Sequence, residues 1–418
     1  MRHQRIFMKS LSRSPGITFL LTLGLAALAC RGGSVQAPYQ VGTWSGFRPA
    51  AVSFTFDDDC ANQYAIAEPL FTSNGLRMTL FTVTSWEGSW PLVKRAAADG
   101  HEIASHTVTH PTLSGLTLAQ QTNELLNSQM TINANVTNAR CLTLAYPNCV
   151  EANEAVTGTY YFAARGCSGQ IVPPAIGNFL NISSFVCGQL GSVQTLQNFT
   201  NLANSAVGNN GWCVYLIHGI DNDGGYSPLP SSVLISTAQY FATNQNRYWV
   251  DTFCNVARYA KERINSTLLE TATGTTSLTV QITNALDNSI FNGPLTVRRP
   301  LPSGWPMAAA TQNGRDLGAQ TVNVTGTNYV MFDVVPNTGN VILTETAQPP
   351  AISVAAMTSP GSLTFRLDGQ TGVTYMIDSS GDLLNWAPVL TNALAATYTN
   401  LTIPLPDAMR FYRARWTP

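Results

Sequence analysis

The chain predicts an α/β domain of parallel strands followed by two small all-β modules. Three observations carry this expectation. Apolar strand-like runs alternate with helical patterns from about residue 50 to residue 264, as expected of strands joined by crossover helices. After Arg263 the texture changes to short alternating strands punctuated by Gly, Pro and Asn. Gln348-Pro349-Pro350 then reads as a linker before a second stretch of the same kind.

Taken in order, residues 1–30 form an export signal. Arg2, Arg5, Lys9 and Arg13 give a basic leader, residues 16–29 are apolar but short for a membrane span, and Ala27-Leu28-Ala29 is an acceptable cleavage site. Cys30 directly after it permits a lipoprotein anchor, although Ala27 stands where such signals prefer Leu. Residues 31–47 read as a linker. Within residues 48–264, strands are expected at 51–56, 78–83, 102–105, 141–145, 160–164 and 213–217, with helical patterns at 90–98 and 118–133 among them. Residues 266–347 carry strand patterns at 277–283, 295–298, 320–324, 329–335 and 341–344, suggesting a small β-sandwich. Residues 351–418 form the last module, with strands expected at 362–367, 373–378 and 409–415. Trp305, Trp386 and Trp416 offer rings for carbohydrate stacking, but core packing is the commoner use of such residues.

Composition excludes some functions. At 418 residues the chain has room for more than one domain. Net charge is −1, only 11% of residues are charged, and Lys beyond the leader occurs just at Lys94 and Lys261. A basic surface for nucleic acid is therefore not expected. All eight Cys precede residue 255. In an oxidising compartment, the seven after Cys30 allow up to three disulfides and one free thiol. Connectivity is open, with Cys167 to Cys187 one pairing to test. No Cys-x-x-Cys pair supports a zinc ribbon.

The chemistry concentrates in two stretches. Ser53-Phe54-Thr55-Phe56-Asp57-Asp58-Asp59 is a β-forming run that breaks into three carboxylates, placing acids where a buried strand surfaces. Ser105-His106-Thr107-Val108-Thr109-His110 offers two imidazoles four residues apart, near enough in a tight turn to share one ion. The chain holds only five His, so this spacing is an informative signal. Two His and one Asp leave positions open for water and substrate, as in a catalytic rather than a structural metal site.

Thr55-Phe56-Asp57-Asp58, followed by His106-Thr107-Val108-Thr109-His110 and later by Leu216-Ile217-His218, resembles the ordered motifs of the polysaccharide deacetylase family, the NodB-homology or carbohydrate esterase 4 group. The likeness covers roughly residues 48–264. It implies an incomplete (β/α) barrel with its site at the carboxyl ends of the strands. It also implies one divalent ion on Asp58, His106 and His110, zinc ahead of cobalt, nickel or manganese. Asp57 becomes the general base and His218 the acid that protonates the leaving group, with Leu216 lining the acetyl pocket. The family's Arg before Pro-Tyr is replaced here by Leu144-Ala145-Tyr146-Pro147-Asn148, so Arg165 becomes the candidate partner of the base. Tyr146 is expected to lend a backbone N–H to an oxyanion hole, beside Pro147. Trp249 and Asp251 are candidates for site support.

The expected substrate is an acetylated polysaccharide, with N-acetyl groups of amino-sugar polymers ahead of the O-acetyl groups of acetylxylan. Three other readings compete. A metalloprotease lacks the Glu expected after the first His. A glycosidase using Asp57 and Asp59 would need no paired His. A non-catalytic carbohydrate-binding relative would be expected to lose Asp57 or His218, and both are present. The protein is expected outside the cell or in its envelope, on a membrane only through a lipidated Cys30.

Overall fold

A computed structural model describes residues 33–86, 88–359, 361–404 and 409–416. The leader and Cys30 lie outside them. Eight strands build the first domain: β1 (Ala50–Asp57), β2 (Thr79–Thr82), β3 (Glu102–Ser105), β4 (Thr143–Ala145), β5 (Ala163–Arg165), β6 (Phe185–Val186), β7 (Trp212–Ile217) and β8 (Tyr248–Val250). They run parallel in the order β5-β4-β3-β2-β1-β7-β6. β8 lies beside the first half of β1, pairing Ala50 with Tyr248, while β2 lies beside its second half, pairing Thr55 with Thr79. This is the incomplete parallel barrel expected of the sequence.

Every residue of β1 is buried, as a central parallel strand requires. Alternation along it sorts the side chains. Phe54 and Phe56 turn outward beneath the helices, where Phe54 meets Phe71 and Tyr215 with ring centroids 5.1 Å apart. Ala51 packs inside with Phe81, Ala104, Ala145 and Val214. Period-two geometry then carries Ser53, Thr55 and Asp57 to the same inner side. The inner polar groups are satisfied: Thr55 Oγ1 donates to the Tyr215 carbonyl at 2.8 Å, and Ser53 Oγ to that of Asp251 at 2.8 Å.

Helices α1 (Glu68–Ser73), α2 (Trp90–Ala98), α3 (Leu118–Asn135), α4 (Glu154–Tyr160), α5 (Leu196–Gly208), α6 (Ser231–Thr243) and α7 (Phe253–Asn265) connect the strands and follow them. Thr117 with Gln120 and Thr195 with Asn198 form capping boxes on α3 and α5. α7 closes the barrel's amino-terminal end: Phe253 packs on Phe81 and Trp212, and its N–H donates to Thr79 Oγ1 at 2.9 Å. A strand expected at 160–164 begins instead at Ala163. Asn153 caps a helix that carries the chain through Tyr160, its side chain accepting from the amides of Ala155 and Val156.

The β-sandwich has one sheet of Thr267–Thr273, Ser277–Thr283, Val341–Thr346, Met307–Gln312 and Arg315–Asp316. The other contains Gln40–Val41, Leu295–Pro300, Thr327–Val334 and Gln320–Val324. Residues 33–47 are therefore not a free linker. Gln40–Val41 pairs antiparallel with Arg298 and Val297, Trp44 is fully buried, and Tyr39 sits in the sandwich core with its hydroxyl donating to Glu270 at 2.6 Å.

The last module has two three-stranded sheets, one of Ala351–Ser359, Ser362–Asp368 and Tyr398–Pro404, the other of Ala387–Ala393, Thr374–Ser380 and Phe411–Trp416. Its tryptophans and that of the sandwich are not bare stacking platforms. Trp305 is buried and donates to the Thr275 carbonyl, Trp386 is overlaid by the Arg413 guanidinium at 4.3 Å, and Trp416 packs on the module core.

Among the described residues one disulfide forms, Cys149 to Cys167, rather than up to three. Cys187 is a buried thiol, so the pairing of Cys167 with Cys187 does not occur. Adjacent strands decide it: Cys149 follows β4 and Cys167 follows its neighbour β5, whereas Cys187 follows β6, which pairs with β7. With a sequence separation of 18, the link should contribute about 3 kcal/mol. Urea unfolding of the double variant Cys149→Ser/Cys167→Ser is expected to show that loss, and an unchanged midpoint would contradict it. No helix among the described residues is long and apolar enough to cross a membrane.

Candidate metal centre

At the carboxyl ends of the strands, a cavity of about 510 Å³ is lined by Asp57, Asp58, His106, His110, Arg165 and His218, with Tyr146 and Leu216 in its wall. Each side chain arrives by its own element. Asp57 ends β1, and Asp58 follows in a left-handed conformation with φ 74°. His106 follows β3, and the chain then turns through Thr107 at φ 70° and His110 at φ 58°. A β-branched residue at positive φ is costly, and such conformations concentrate at functional sites. Side-chain bonds hold this turn. Glu124 of α3 accepts from the amides of Val108 and Thr109, both at 2.9 Å, and His110 N–H donates to Thr107 Oγ1 at 3.0 Å.

The Asp58 Oδ1 atom lies 3.6 Å from Nε2 of both His106 and His110, and single ligand atoms from the three residues all fall within 4.8 Å of one another. His106 Nδ1 lies 2.8 Å from the Ala145 carbonyl. A carbonyl only accepts, so Nδ1 carries the proton and Nε2 presents a lone pair to the cavity. Asp58 Oδ1 is buried with no hydrogen-bond partner. A buried carboxylate oxygen facing a bare imidazole nitrogen is unfavourable unless a cation lies between them. Tetrahedral ligands roughly 2.0–2.1 Å from one ion stand about 3.3 Å apart, close to the separations here. The residues thus fit a divalent ion. Burial holds the His106 imidazole down to about 4, against the pull of Asp57 and Asp58, keeping it in the neutral form a metal needs.

Asp57 has a different setting. Burial tends to raise its pKa, but the Arg165 guanidinium, aided by His106 and His218, overcomes this and holds the carboxyl below its ordinary value. Arg165 is fully buried, pairs with Asp57 Oδ2 and stacks over Phe81 at 5.3 Å. The other oxygen, Oδ1, is buried and unpartnered. His218 Nε2 lies 3.9 Å from Asp58 Oδ2, and burial lowers its pKa against the attraction of Asp57 and Asp58.

Three sequence expectations need correction. The Tyr146 N–H is occupied, donating to the Arg165 carbonyl at 3.1 Å as part of the β4–β5 neighbourhood, and its hydroxyl donates to Leu180 O at 2.9 Å. Pro147 is buried and begins the turn that leads to Asn148, which lines the cavity at φ 56°. Trp249 is on β8, beside the start of β1, so it belongs to the opposite end of the barrel, where it packs on Tyr259 at 5.1 Å. Asp251 is there too, binding the Thr252 amide and Asn255. Asp59 is a structural acid: its Oδ2 accepts from the Val83 amide at 2.7 Å.

Two aromatics not anticipated from the sequence flank the centre. Trp86 lies 5.1 Å from the His110 ring and Tyr226 5.0 Å from the His218 ring, each 52% exposed. Tyr226 is delivered by a loop that folds tightly on itself. A Cβ on Gly219 would come within 2.8 Å of the Gly225 carbonyl, and one on Gly225 within 2.5 Å of Cys60 Sγ. The paired glycines in Gly219-Ile220-Asp221-Asn222-Asp223-Gly224-Gly225 were the available signal.

A parallel barrel whose strand ends gather two His and an acid is the framework of a metal-assisted hydrolase. Residues 46–159 match the polysaccharide deacetylase family profile. Over that stretch the barrel domain is similar to the polysaccharide deacetylases. Among curated proteins, a gellan lyase of a Bacillus species is 29% identical over 344 residues, covering 77% of this chain and 14% of that protein. A chitooligosaccharide deacetylase of Bradyrhizobium sp. (strain ANU 289) is 35% identical over 94 residues, covering 22% of this chain and 42% of the relative. The chain thus spans under half the length of each. Among solved structures, the carbohydrate esterase domain of a multidomain xylanase from the hindgut metagenome of Trinervitermes trinervoides aligns at TM-score 0.36 and 15% identity, covering 49% of this chain and 88% of that one. The peptidoglycan deacetylase PdaC of Bacillus subtilis aligns at TM-score 0.33 and 14% identity, covering 51% and 92%.

Proposed function

We propose that the chain is an exported, metal-dependent deacetylase of polysaccharides, acting on N-acetyl groups of amino-sugar polymers ahead of the O-acetyl groups of xylan. In this reading residues 48–264 are catalytic, and 266–347 and 351–418 are accessory β domains. The observation that carries it is the Asp57 carboxylate beside the Asp58–His106–His110 triangle: Oδ2 is pinned by Arg165 and lies 3.6 Å from His106 Nε2, while Oδ1 is buried without a hydrogen-bond partner. The relative named for chitooligosaccharides supports the substrate class.

A divalent ion, zinc in first place, would supply Lewis acidity toward the acetyl carbonyl and ease deprotonation of water. Asp57 takes the proton from the attacking water through Oδ1, while Arg165 keeps the carboxylate ionised and fixed. His218, on the other side of Asp58, hands a proton to the departing amine or alkoxide. Leu216 and the ring of Tyr146 wall the acetyl group, and Trp86 and Tyr226 offer rings to the sugar.

The test is acetate release from chitin oligomers, peptidoglycan fragments, poly-N-acetylglucosamine and acetylxylan, each with and without chelator. Chelator-sensitive release from the amino-sugar polymers is expected. Release confined to acetylxylan would reverse the substrate order, and none from any substrate would remove the assignment.

A further inference from the structure

We propose that a second cavity, at the opposite end of the barrel from the metal centre, binds a carboxylate-bearing sugar unit. Its volume is about 480 Å³, and it opens where residues preceding β2, β3 and β4 meet α7 and residues 289 and 292 of the sandwich. Three arginines reach it from separate segments: Arg77, Arg140 and Arg258.

Among the described residues none of the three forms an ion pair with a carboxylate. Elsewhere Arg95 pairs with Glu68, Arg165 with Asp57, Arg299 with Glu270, and Arg413 and Arg415 with Asp378, whereas Arg247, Arg263 and Arg298, among others of the described residues, form no ion pair. With only 22 Lys and Arg in 418 residues, three guanidinium groups on one cavity stand out, and the carboxylates that act on them, Asp251 on Arg77, Asp287 on Arg140, and Glu102 and Glu262 on Arg258, do so without a direct ion pair. Their present bonds are poor. Arg77 Nη1 reaches Gly100 O at 3.4 Å, Arg140 Nη1 reaches Ser289 at 3.4 Å, and Arg258 Nη2 faces the Cys254 sulfur at 3.5 Å. Arg258 Nε is buried with no partner at all.

The carboxylate in the cavity wall, Glu102, attracts Arg258 but bonds to none of the three. Its Oε1 takes the Thr143 hydroxyl, and its Oε2 takes Thr79 Oγ1 at 2.9 Å and the Cys254 amide at 2.8 Å. The site therefore asks for an anion from outside. Guanidinium forks match planar carboxylates in two parallel bonds. The space lies in the usual range for small-molecule pockets, ~300–1,000 Å³, far beyond one inorganic anion. The side chains of Asn138 and Asn292 add amides suited to sugar hydroxyls. A uronosyl residue combines both chemistries, which would give the protein a hold on acidic polymer away from the point of reaction.

The test is isothermal titration of the full chain with sodium glucuronate, with glucose and sodium sulfate as comparison arms, on wild type, Arg140→Ala, Arg77→Ala/Arg140→Ala and Asp58→Ala. Arg77 and Arg140 are exposed, and unchanged circular dichroism confirms that their variants fold. Glucuronate should bind and glucose should not, affinity should fall at least tenfold in the double variant, and Asp58→Ala should bind as wild type does. Four outcomes overturn the proposal: no binding of glucuronate, undiminished binding in the double variant, binding of sulfate alone, or loss of binding in Asp58→Ala, which would move the acid to the metal centre.

Discussion

Asp58→Ala should abolish stoichiometric zinc binding and lower acetate release by about 10³-fold, the equivalent of several kcal/mol of Lewis-acid assistance. Asp58 Oδ1 is the atom shared by both imidazoles at 3.6 Å, so its loss leaves His106 and His110 without a third ligand. The apo fold should lose little, because Asp58 Oδ1 is buried without a hydrogen bond, the remaining cost being that of Ala at φ 74°. Metal content by mass spectrometry, activity and urea unfolding, measured on one preparation, separate the effects. Full activity in a metal-free variant would sink the mechanism.

Arg165→Met should cost about 3–5 kcal/mol at neutral pH, the usual penalty for leaving a buried charge without its partner. In the wild type the Asp57 carboxyl is held below its ordinary value, chiefly by Arg165 acting against burial. The pair therefore stabilises the fold above the ordinary carboxylate range, near ~3.9, and that contribution fades as pH falls through the depressed value. In the variant burial acts with Arg165 gone, so the carboxyl shifts upward and the neutral acid becomes the preferred form. The stability gap to wild type should accordingly narrow on acidification. The acid limb of the pH–rate profile should move to higher pH, since Asp57 must be ionised to take a proton. A gap independent of pH would show that Asp57 is not the group Arg165 serves.

The fold was readable where hydrophobic pattern and burial coincide. The run through Phe54 and Phe56 is a buried central strand, and the observed strand Glu102–Ser105 has the expected bounds. Met307–Gln312 was invisible because Ala308, Ala309 and Ala310 favour strands only weakly; its ladder with Val341–Thr346 holds it in place. At the centre, His spacing and adjacent acids marked side chains that the fold gathers into one cavity. Arg165, chosen because the family's usual Arg is missing from 144–148, does reach Asp57. Backbone groups were less legible, because the Tyr146 N–H is spent in pairing that only the sheet reveals. Trp249 misled because a strand's chemistry depends on which end a residue occupies. Trp86 gave too little local pattern to be placed, and for Tyr226 the glycines at 219, 224 and 225 marked a tight loop but not where it points.

The seam between Gln40–Val41 and Leu295–Pro300 imposes an order on folding. Gln40 meets Arg298 across 258 positions of chain, so the earliest described strand must wait until most of the protein has been made. A version ending after α7 would leave Tyr39 and that strand with nothing to close against. Shortened forms intended to isolate the barrel should therefore begin near Gly42, which drops the strand but keeps Trp44 in the barrel core, or they will carry an exposed, sticky flap.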